Sequence, residues 1–393
     1  LVLHNYMDFD DLKDYVKISY ELTQDGLVIS KGILPEFSVA PHGEGITNLK
    51  INVPENGKCY LKLIYHLKKE LPLLDEDHIL GFDEIEVSKE DTKCKLAEKW
   101  IPKTVVDSEL QVNENDTQIH IKGREFAYTI DKRTALFTEM KFAGREYLNH
   151  PMELNIWRAP TDNDMYIKSE WKKAHYDKAY TRAYTTEVVQ GKHGVKITSH
   201  ASVVAETVQK ILDVTITWKI EAAGKIDADI AVTKDNEFPD LPRFGVRMFL
   251  DKKLSAARYF GMGPQESYCD KHQAASHGLY QANVDDLHED YIRPQENGSH
   301  YDCEYVELNN SRYGIVASAE KAFSFNVSYY TQEELEKKTH NYELIESDSV
   351  VFCVDYALNG IGSNSCGPVV LEQYRFDDVL FRFQFTLIPY VKG

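Results

Sequence analysis

The sequence predicts an all-β protein made of two unequal β-sandwich units. Apolar and polar residues alternate with a period of two along most of the 393 residues, which is the pattern of half-buried strands. Only two segments favour helices, SEWKKAHYDKA from Ser169 and TQEELEKK from Thr331, the latter with Thr331 and Glu334 as a capping box. A chain of this length can form two or three cores, and its strand-rich stretches fall into a short group and a long group.

The first group of strands occupies residues 1–89. Val16, Ile18 and Tyr20 alternate with polar residues, TQDG then predicts a turn, and LVIS resumes the strand pattern. A further apolar strand is predicted at 60–65, YLKLIY. A unit of about 90 residues with this strand content has the size of an immunoglobulin-like β-sandwich, although the Cys…Trp…Cys core of antibody domains is missing from the sequence.

A charged stretch separates the two groups. Residues 90–115 show weak periodicity, and we interpret them as a linker that lies along a neighbouring domain. Across 116–393 the strand pattern is nearly continuous, which favours one large two-sheet sandwich over several small domains. Within it, the alternating apolar residues of 214–220 and 226–232 flank the turn AAGK and predict a hairpin.

The charge balance argues against two classes of partner. With 63 acidic against 45 basic residues, the net charge is -18, which opposes binding to nucleic acid or to an anionic membrane surface. No window of the sequence approaches the roughly 18 consecutive apolar residues that a membrane-spanning helix needs. A neutral substrate such as a sugar is compatible with this balance.

Cysteine usage and the first residues indicate context. The six cysteines are scattered and form no CxxC pair, which favours free thiols in a reducing compartment and hence a cytoplasmic location. The chain begins LVLHNYMDFDD, which lacks the pattern of a signal peptide and lies within a strand-like segment. We therefore expect the chain to be part of a longer polypeptide.

The stretch YFGMGPQESYCDKH, residues 259–272, raises the question of a phosphate or metal site. It lacks the third glycine of a dinucleotide-binding loop and the GK[ST] of a phosphate-binding loop. Cys269 and His272 have no second pair of ligands at the spacing of a zinc site. The sequence therefore predicts neither a phosphate site nor a metal site here.

The favoured interpretation of this stretch is a tight structural loop. Gly263, Pro264 and Glu266 form its turn, and Gly261 and Gly263 are expected to supply backbone conformations that other residues avoid.

The segment NIWRAPTDNDMY places Arg158 close to Asp162, Asn163 and Asp164. Carboxylates grouped in this way suit a hard cation or an acid–base pair. The DND triplet, however, lacks the alternating ligands and the glycine of an EF-hand loop, and Asp and Asn are frequent in turns because they bond their own backbone. We interpret the segment as a structural turn held by an internal Arg–carboxylate pair.

Two further loops carry polar groups. ALNGIGSNSCGP, residues 357–368, offers amides, hydroxyls and a thiol, so it either contributes to the rim of a polar site or only turns the chain. Cys366 as a nucleophile would need a basic partner, and none is near it in sequence. In YIRPQENG, Glu296 is a candidate acid, but ENG with Asn297 is equally typical of a turn.

Together these motifs resemble the C-terminal part of the large bacterial β-galactosidases of glycoside hydrolase family 2. In the order in which that family shows them, they are RAPTDND, LPRFGVRM, YFGMGPQESYCD, YIRPQENG and GIGSNSCGP. The segment from NYMDFDDLKDY to FDEIEV resembles the fourth, immunoglobulin-like domain of that family. Residues from about 115 onward resemble its fifth domain, a galactose mutarotase-like β-supersandwich, the small-chain type. The resemblance covers nearly the whole chain.

The resemblance implies a function whose catalytic part lies elsewhere. Family members hydrolyse terminal β-D-galactosides such as lactose with retention, through two glutamates on a preceding (β/α)8 barrel. The sequence shows no helix–strand alternation suited to a barrel, so we expect no catalytic residue in this chain and no activity in isolation. The family resemblance implies magnesium and sodium ions in the parent's other domains, no cofactor here, and a homo-oligomeric parent that binds its β-galactoside at the barrel.

The resemblance also assigns roles to the loops. GIGSNSCGP corresponds to a loop that reaches the mouth of the barrel, where the best-known members carry a Trp that stacks on the aglycone. This chain has Cys366 there, next to Asn364 and Ser365, which implies a different or looser acceptor preference. The remaining motif residues are implied to be structural, and they are Arg158, Asp162, Asn163, Asp164, Gly263, Pro264, Glu266, Glu296 and Asn297.

Two other functions remain open for such a sandwich. One is a stand-alone carbohydrate-binding module. The other is an aldose 1-epimerase-like enzyme, which would need a Glu and one histidine together in a groove. The candidate histidines are His272, His277, His288 and His300.

Overall fold

The computed structural model describes residues 1–89, 92–100 and 110–392. The chain divides into two compact units, Leu1–Leu96 with His277–Leu279, and Ala97–Ser276 with Tyr280–Gly393. Of the predicted linker 90–115, residues 90, 91 and 101–109 lie outside the described part. The predicted domain boundaries stay a prediction.

The described part of the first unit contains one short helix and two antiparallel sheets. The helix α1 spans Leu12–Tyr15, and the Asp11 side chain caps it by accepting a hydrogen bond from Lys13 N. The strand orders are β3-β2-β5-β6 and β1-β4. The strands are β1 Val2–His4, β2 Val16–Gln24, β3 Leu27–Ile33, β4 Glu44–Ile46, β5 Cys59–Leu67 and β6 Ile79–Glu86.

Local sequence explains the centre of this unit. β2 and β3 are joined through Asp25 and Gly26, which both have positive φ (47° and 78°), as the Asp-Gly of a tight hairpin turn requires. The predicted strand at 60–65 lies in β5, which pairs with β2. The alternating apolar residues point into one core, which contains Leu3, Ile18, Leu34, Leu61 and Leu63.

The second unit is dominated by antiparallel strands. A five-stranded sheet has the order β11-β10-β9-β8-β7. A larger sheet follows the path β12-β17-β22-β21-β23-β16-β15-β14-β13, with β18 pairing β19 and β20, and β20 pairing β21. The strands of the first sheet are β7 Gln111–Glu114, β8 Gln118–Lys122, β9 Phe126–Asp131, β10 Leu136–Phe142 and β11 Arg145–Glu146.

The strands of the larger sheet are β12 Leu148–Asn155, β13 Tyr180–Gly191, β14 Gly194–Ala205, β15 Val208–Glu221, β16 Ile226–Lys234, β17 Arg243–Asp251, β18 Ala256–Gly263, β19 Ser276–Asn283, β20 Ser299–Asn309, β21 Tyr313–Ser328, β22 Ser349–Leu358 and β23 Leu380–Val391. The predicted hairpin is β15 with β16, in which Trp218 pairs Ala228 and Ile216 pairs Ile230. All four side chains are buried. The Trp218 indole also donates to Ala135 O at 2.8 Å, so its one polar group is satisfied.

Helical segments in the described part are short. The α-helices described in the second unit are α2 Ile167–Lys173 and α3 Gln332–Lys337. The 3-10 turns are Leu96–Trp100, Asp162–Asp164, Tyr176–Lys178, Asp285–Leu287, Asn341–Glu343 and Glu372–Tyr374. Among the described residues no helix reaches the length and apolarity that crossing a bilayer requires. The all-β prediction is confirmed.

The structure refines three sequence-based expectations. The strand β7 lies inside the segment predicted as linker, because its four residues contain a single apolar one, Val112, and are too few to show an alternating pattern. The first predicted helix ends at Lys173, and His175 then adopts a left-handed conformation with φ 58°. At α3, Thr331 Oγ1 accepts from Glu334 N at 3.1 Å, whereas Glu334 Oε1 accepts from Ile345 N. The capping box is therefore only half formed.

Candidate functional site

Four loops of the second unit meet at one end of the larger sheet. They follow β12, β18 and β22 and precede β20. They carry the motifs that the sequence singled out, namely residues 156–166, 264–275, 288–298 and 359–371. We call the last of these the Cys366 loop.

Arg158 holds the first loop to the Cys366 loop. Its guanidinium is fully buried, with Nη2 2.7 Å from Asp164 Oδ1 and Nε 3.2 Å from Asp164 Oδ2. The same group donates to the carbonyl oxygens of Asn359 and of Gly360. Burial opposes the charge of Arg158, but Asp164 and Glu296 favour it, and the pKa of the guanidinium is raised. Asp164 Oδ2 also accepts from Thr161 N at 2.9 Å, which closes the DND turn.

A second buried ion pair lies beside the first. Arg243 Nη2 is 2.7 Å from Asp355 Oδ2, and Arg243 Nη1 is 3.3 Å from Glu296 Oε2. Burial raises the pKa of Glu296, against the opposing effect of Arg243 and Arg158. Glu296 Oε1 has no hydrogen-bond partner among the described residues. A substrate cannot reach a carboxyl enclosed in this way unless the loops open.

Glu266 joins the GPQE loop to the ENG loop. Its Oε2 accepts from Gly298 N at 2.9 Å, and its Oε1 lies 2.5 Å from Lys271 Nζ and also accepts from Tyr291 OH. Gly298 has φ +68°, and an added Cβ would lie 2.2 Å from Leu287 O, so only glycine fits.

Asn297 and Asp162 complete the contacts of the ENG loop. The Asn297 side chain accepts from Glu289 N and donates to Gln295 O, at 3.0 and 2.9 Å. Asp162 N donates to Gln295 Oε1 at 3.0 Å, while the Asp162 side chain is exposed. The Gln295 side-chain amide thus ties the ENG loop to the DND loop, whereas the Asn297 amide bonds within the ENG loop.

The prediction that Gly261 and Gly263 supply backbone conformations that other residues avoid is wrong. Gly261 and Gly263 lie in β18, and neither has a positive φ. Their role is close packing, because a Cβ on Gly261 would lie 2.1 Å from Cys303 Sγ, and a Cβ on Gly263 would lie 2.4 Å from Tyr259 OH. The turn itself starts at Pro264, which follows a cis peptide bond.

The Cys366 loop is anchored at its base and exposed at its tip. Asp270 Oδ1 and Oδ2 accept from Ile361 N and Gly362 N, at 2.9 and 2.7 Å. On the other side, Asn163 donates to Gly362 O at 2.7 Å and accepts from Ser365 Oγ at 2.8 Å. The Cys366 side chain is exposed, within a turn that the bond from Gly367 N to Ser363 O closes at 2.7 Å.

The remaining predicted residues do not form a reactive group with this loop. Asn364 is half-buried beside Ser365. Cys269 and His272 point to different backbone partners, Cys269 Sγ to the carbonyls of Leu358 and Tyr374, and His272 Nδ1 to Tyr268 O. Cys59, Cys269, Cys303, Cys353 and Cys366 are free thiols.

Of the four candidate histidines, His277 lies beside a glutamate, with Nδ1 2.7 Å from Glu84 Oε1, but the two side chains are only 7% and 11% exposed. Burial lowers the pKa of His300 to about 4, and the ring is only 1% exposed, between Tyr259 and Phe325. Burial also lowers the pKa of His288. His277 lies in β19. A ring that is inaccessible to solvent cannot meet a sugar.

A cavity of about 470 Å³ lies next to the loop cluster. It is bounded by β21, the end of β22, the start of β23 and the segment 373–378. Its lining combines aromatic rings with three acidic and three basic side chains, and none of the histidines lines it. The charged residues are Asp302, Glu320, Asp378, Lys321, Arg375 and Arg382, and the more accessible rings include Tyr301, Tyr356 and Tyr374.

Sequence reasoning missed the partners that join the loops. Arg243 lies in the motif LPRFGVRM and Asp270 in YFGMGPQESYCD, yet neither was singled out. A charged residue beside or within an apolar strand is a sign of a buried ion pair, and both Arg243 and Asp355 occupy such positions. Their partners are distant in sequence and had no local signature.

Comparison with known proteins agrees with this architecture. Residues 122–387 match the family described as β-galactosidase small chain, and residues 1–88 match β-galactosidase, domain 4. A β-galactosidase of Actinobacillus pleuropneumoniae is 43% identical over 391 residues, which are 99% of this chain and 38% of that protein. A β-galactosidase of Staphylococcus xylosus is 30% identical over 98% of this chain and 38% of its own length.

Solved structures give a weaker likeness. The galactose 1-epimerase of Lactobacillus acidophilus aligns with 73% of this chain and 99% of its own, at 8% identity and a TM-score of 0.40. The chain spans 38% of the length of the two curated relatives. The two family matches follow each other along almost the entire sequence. The chain therefore belongs to the β-galactosidase family, in which it corresponds to the C-terminal region formed by domain 4 and the small chain.

Proposed function

We propose that this chain is the non-catalytic C-terminal region of a retaining β-galactosidase and completes the rim of its active site. The parent enzyme hydrolyses terminal β-D-galactosides such as lactose, with both catalytic glutamates on a domain outside this chain. The family match and the 38% span of the relatives support this division of labour. The observation that carries the proposal is the cluster of buried ion pairs, which presents the Cys366 loop at the surface.

The chemistry of the exposed loop fits a rim for small polar groups. Ser363, Ser365 and Cys366 are exposed and short, and Asn364 is half-buried between them. Hydroxyls and amides bond sugar hydroxyls, whereas a thiol cannot stack on an aromatic aglycone as an indole does. We propose that this rim accepts varied leaving groups and acceptors, without a strong preference for aromatic ones.

Further parts of the proposal concern the intact parent. We propose that it is a homo-oligomer in the cytoplasm and that any magnesium or sodium ion it uses lies outside this region. The free thiols of Cys59, Cys269, Cys303, Cys353 and Cys366 support a reducing compartment. Among the described residues no cluster of three His, Cys, Asp or Glu side chains is arranged to hold a metal ion.

The first experiment compares the chain alone with the chain joined to the rest of a β-galactosidase. We expect hydrolysis of o-nitrophenyl β-galactoside and of lactose only in the joined form. Hydrolysis by the purified chain alone would overturn the non-catalytic assignment.

The second experiment is Cys366→Trp in the full-length enzyme. An indole at the rim should change the KM for aryl galactosides, or the ratio of transfer to hydrolysis, by at least about twofold, because stacking contributes about 0.5–1.5 kcal/mol. Lys192→Trp, which adds an indole at an exposed turn elsewhere, is the matched control. Unchanged kinetics with a lowered melting temperature would contradict the rim assignment.

The cavity favours a second candidate, a carbohydrate-binding module. Half-buried tyrosines beside balanced charges suit a neutral polar ligand such as a saccharide. Calorimetric titration of this chain with galactose and lactose separates the two candidates. Binding that Tyr356→Ala abolishes supports the module. The epimerase alternative is not favoured, because none of the candidate histidines lines this cavity.

A further inference from the structure

We propose that Asp270 is a positioning residue that fixes the base of the Cys366 loop and thereby sets the acceptor preference of the parent enzyme. The positioning follows from contacts within the second unit alone. The effect on acceptors rests on the proposed function of the loop.

Asp270 lies at the tip of a tight hairpin. Tyr268 and Lys271 exchange two backbone hydrogen bonds, at 2.9 and 3.0 Å, so Cys269 and Asp270 form the turn between them. The hairpin is held in place by Lys271 Nζ, which lies 2.5 Å from Glu266 Oε1. A carboxylate on such a short turn has little freedom to move away from its partners.

Both oxygens of Asp270 are used on two successive amides. Oδ1 accepts from Ile361 N at 2.9 Å, and Oδ2 accepts from Gly362 N at 2.7 Å. Gly362 has φ +66°, and a left-handed residue lets adjacent N–H groups point toward the same anion. Hydrogen bonds from amides to a charged carboxylate are stronger than those to a neutral acceptor.

The neighbouring contacts hold the loop base from two sides. An added Cβ on Gly360 would lie 2.8 Å from Asp270 Oδ2, so the carboxylate packs directly against that glycine. Asn163 holds the opposite side, through Gly362 O at 2.7 Å and Ser365 Oγ at 2.8 Å. The turn that carries Cys366 is therefore bracketed by Asp270 before it and by Asn163 within it.

An isosteric substitution of Asp270 tests the need for two accepting oxygens. Asp270→Asn keeps the shape but replaces one accepting oxygen by an NH2 group, which would face a backbone N–H. One of the two amides loses its acceptor, and the loop base loosens.

The consequence in the parent concerns the second half of its reaction. A galactosyl group leaves the nucleophilic glutamate for the oxygen of water or of a sugar hydroxyl, and the acceptor's proton passes to the acid–base glutamate. The chosen acceptor depends on how the rim holds it, so a mobile Cys366 loop changes the balance between transfer and hydrolysis.

Amide hydrogen exchange on this chain tests the positioning. For Asp270→Asn we expect the amides of 361–367 to exchange about tenfold faster, and those of β22 to be unchanged. Asp213→Asn, an isosteric change at an exposed carboxylate of β15, is the control. Gly360→Ala, which displaces the carboxylate, should have the same local effect as Asp270→Asn. Unchanged exchange of 361–367 in both loop variants would overturn the positioning role.

Kinetics of the full-length enzyme test the second half of the inference. Asp270→Asn should change the ratio of transfer to hydrolysis on lactose by at least about threefold and raise KM more than it lowers kcat. Asp213→Asn should leave both unchanged. Faster exchange with an unaltered ratio would refute the rim role while leaving the positioning intact, so the two failures are distinguishable.

Discussion

Replacing Arg158 by alanine tests whether buried charge holds the loop cluster together. Arg158 is fully buried, and Asp164, 2.7 Å away, is 2% exposed. The guanidinium also donates to the carbonyls of Asn359 and Gly360. Alanine removes every one of these donors and leaves the carboxylate and both carbonyls in place. The Asp164 charge would then be buried without a partner.

The expected loss follows from these contacts. Breaking a buried ion pair from one side costs about 3–5 kcal/mol. Each carbonyl that loses its donor adds about 1 kcal/mol where water cannot replace it, whereas protonation of Asp164 reduces the total. We expect a net loss of about 4 kcal/mol, which for a unit of this size lowers the melting temperature by roughly 8 °C.

Scanning calorimetry of the chain measures this shift, and two variants serve as references. Arg158→Lys keeps a charge but loses the two-pronged geometry, so its melting temperature should fall between wild type and Arg158→Ala. Arg124→Ala removes an exposed pair with Glu125, at 3.6 Å, and should cost at most about 1 kcal/mol. If Arg158→Ala melted within about 2 °C of Arg124→Ala, the ion pair would not stabilise the loops.

Two further predictions concern the core of the second unit. Because burial lowers the pKa of His300 from 6.5 to about 4, the unfolded chain binds a proton in that window that the folded chain lacks. The free energy of unfolding should therefore fall as pH drops from 6.5 to 4. His300→Phe should flatten this dependence on pH, whereas the exposed control His193→Phe should not. Equal pH dependence in the two variants would exclude the effect. Gly261→Ala places a Cβ 2.1 Å from Cys303 Sγ and should cost about 1–3 kcal/mol by thermal melting, whereas Gly191→Ala, whose nearest atom is 3.5 Å away, should be nearly neutral. Equal melting temperatures for both alanine variants would refute the packing role.

Local patterns predicted the local elements well. Alternating apolar residues around AAGK predicted β15 and β16, because a hairpin needs only a turn and a period of two. Arg158 and Asp164 are six residues apart, so their pairing is also a short-range feature. The sequence does not decide between two roles of the same residue type, such as positive φ and close packing for glycine. At Gly261 the absence of a side chain permits close packing, and the backbone does not adopt a positive φ.

The candidate site shows the opposite case. Asp270 reaches the amide of Ile361, 91 residues away, and Arg243 meets Asp355 across 112 residues. No periodicity links such residues, since the order of strands in the larger sheet decides which loops become neighbours. Polar motifs marked which loops matter but not what they touch.

The sequence by itself determined that this chain folds as strands in a small and a large unit, and its ordered motifs determined the family that it resembles. Side-chain alternation and turn residues act over a few positions, so they can be read directly from the chain. Only the tertiary structure decided that three separate loops meet around the buried Arg158 and Arg243 and that Asp270 and Asn163 anchor the Cys366 loop. Burial makes those charges costly to leave unpaired, and burial is a property of the folded chain alone.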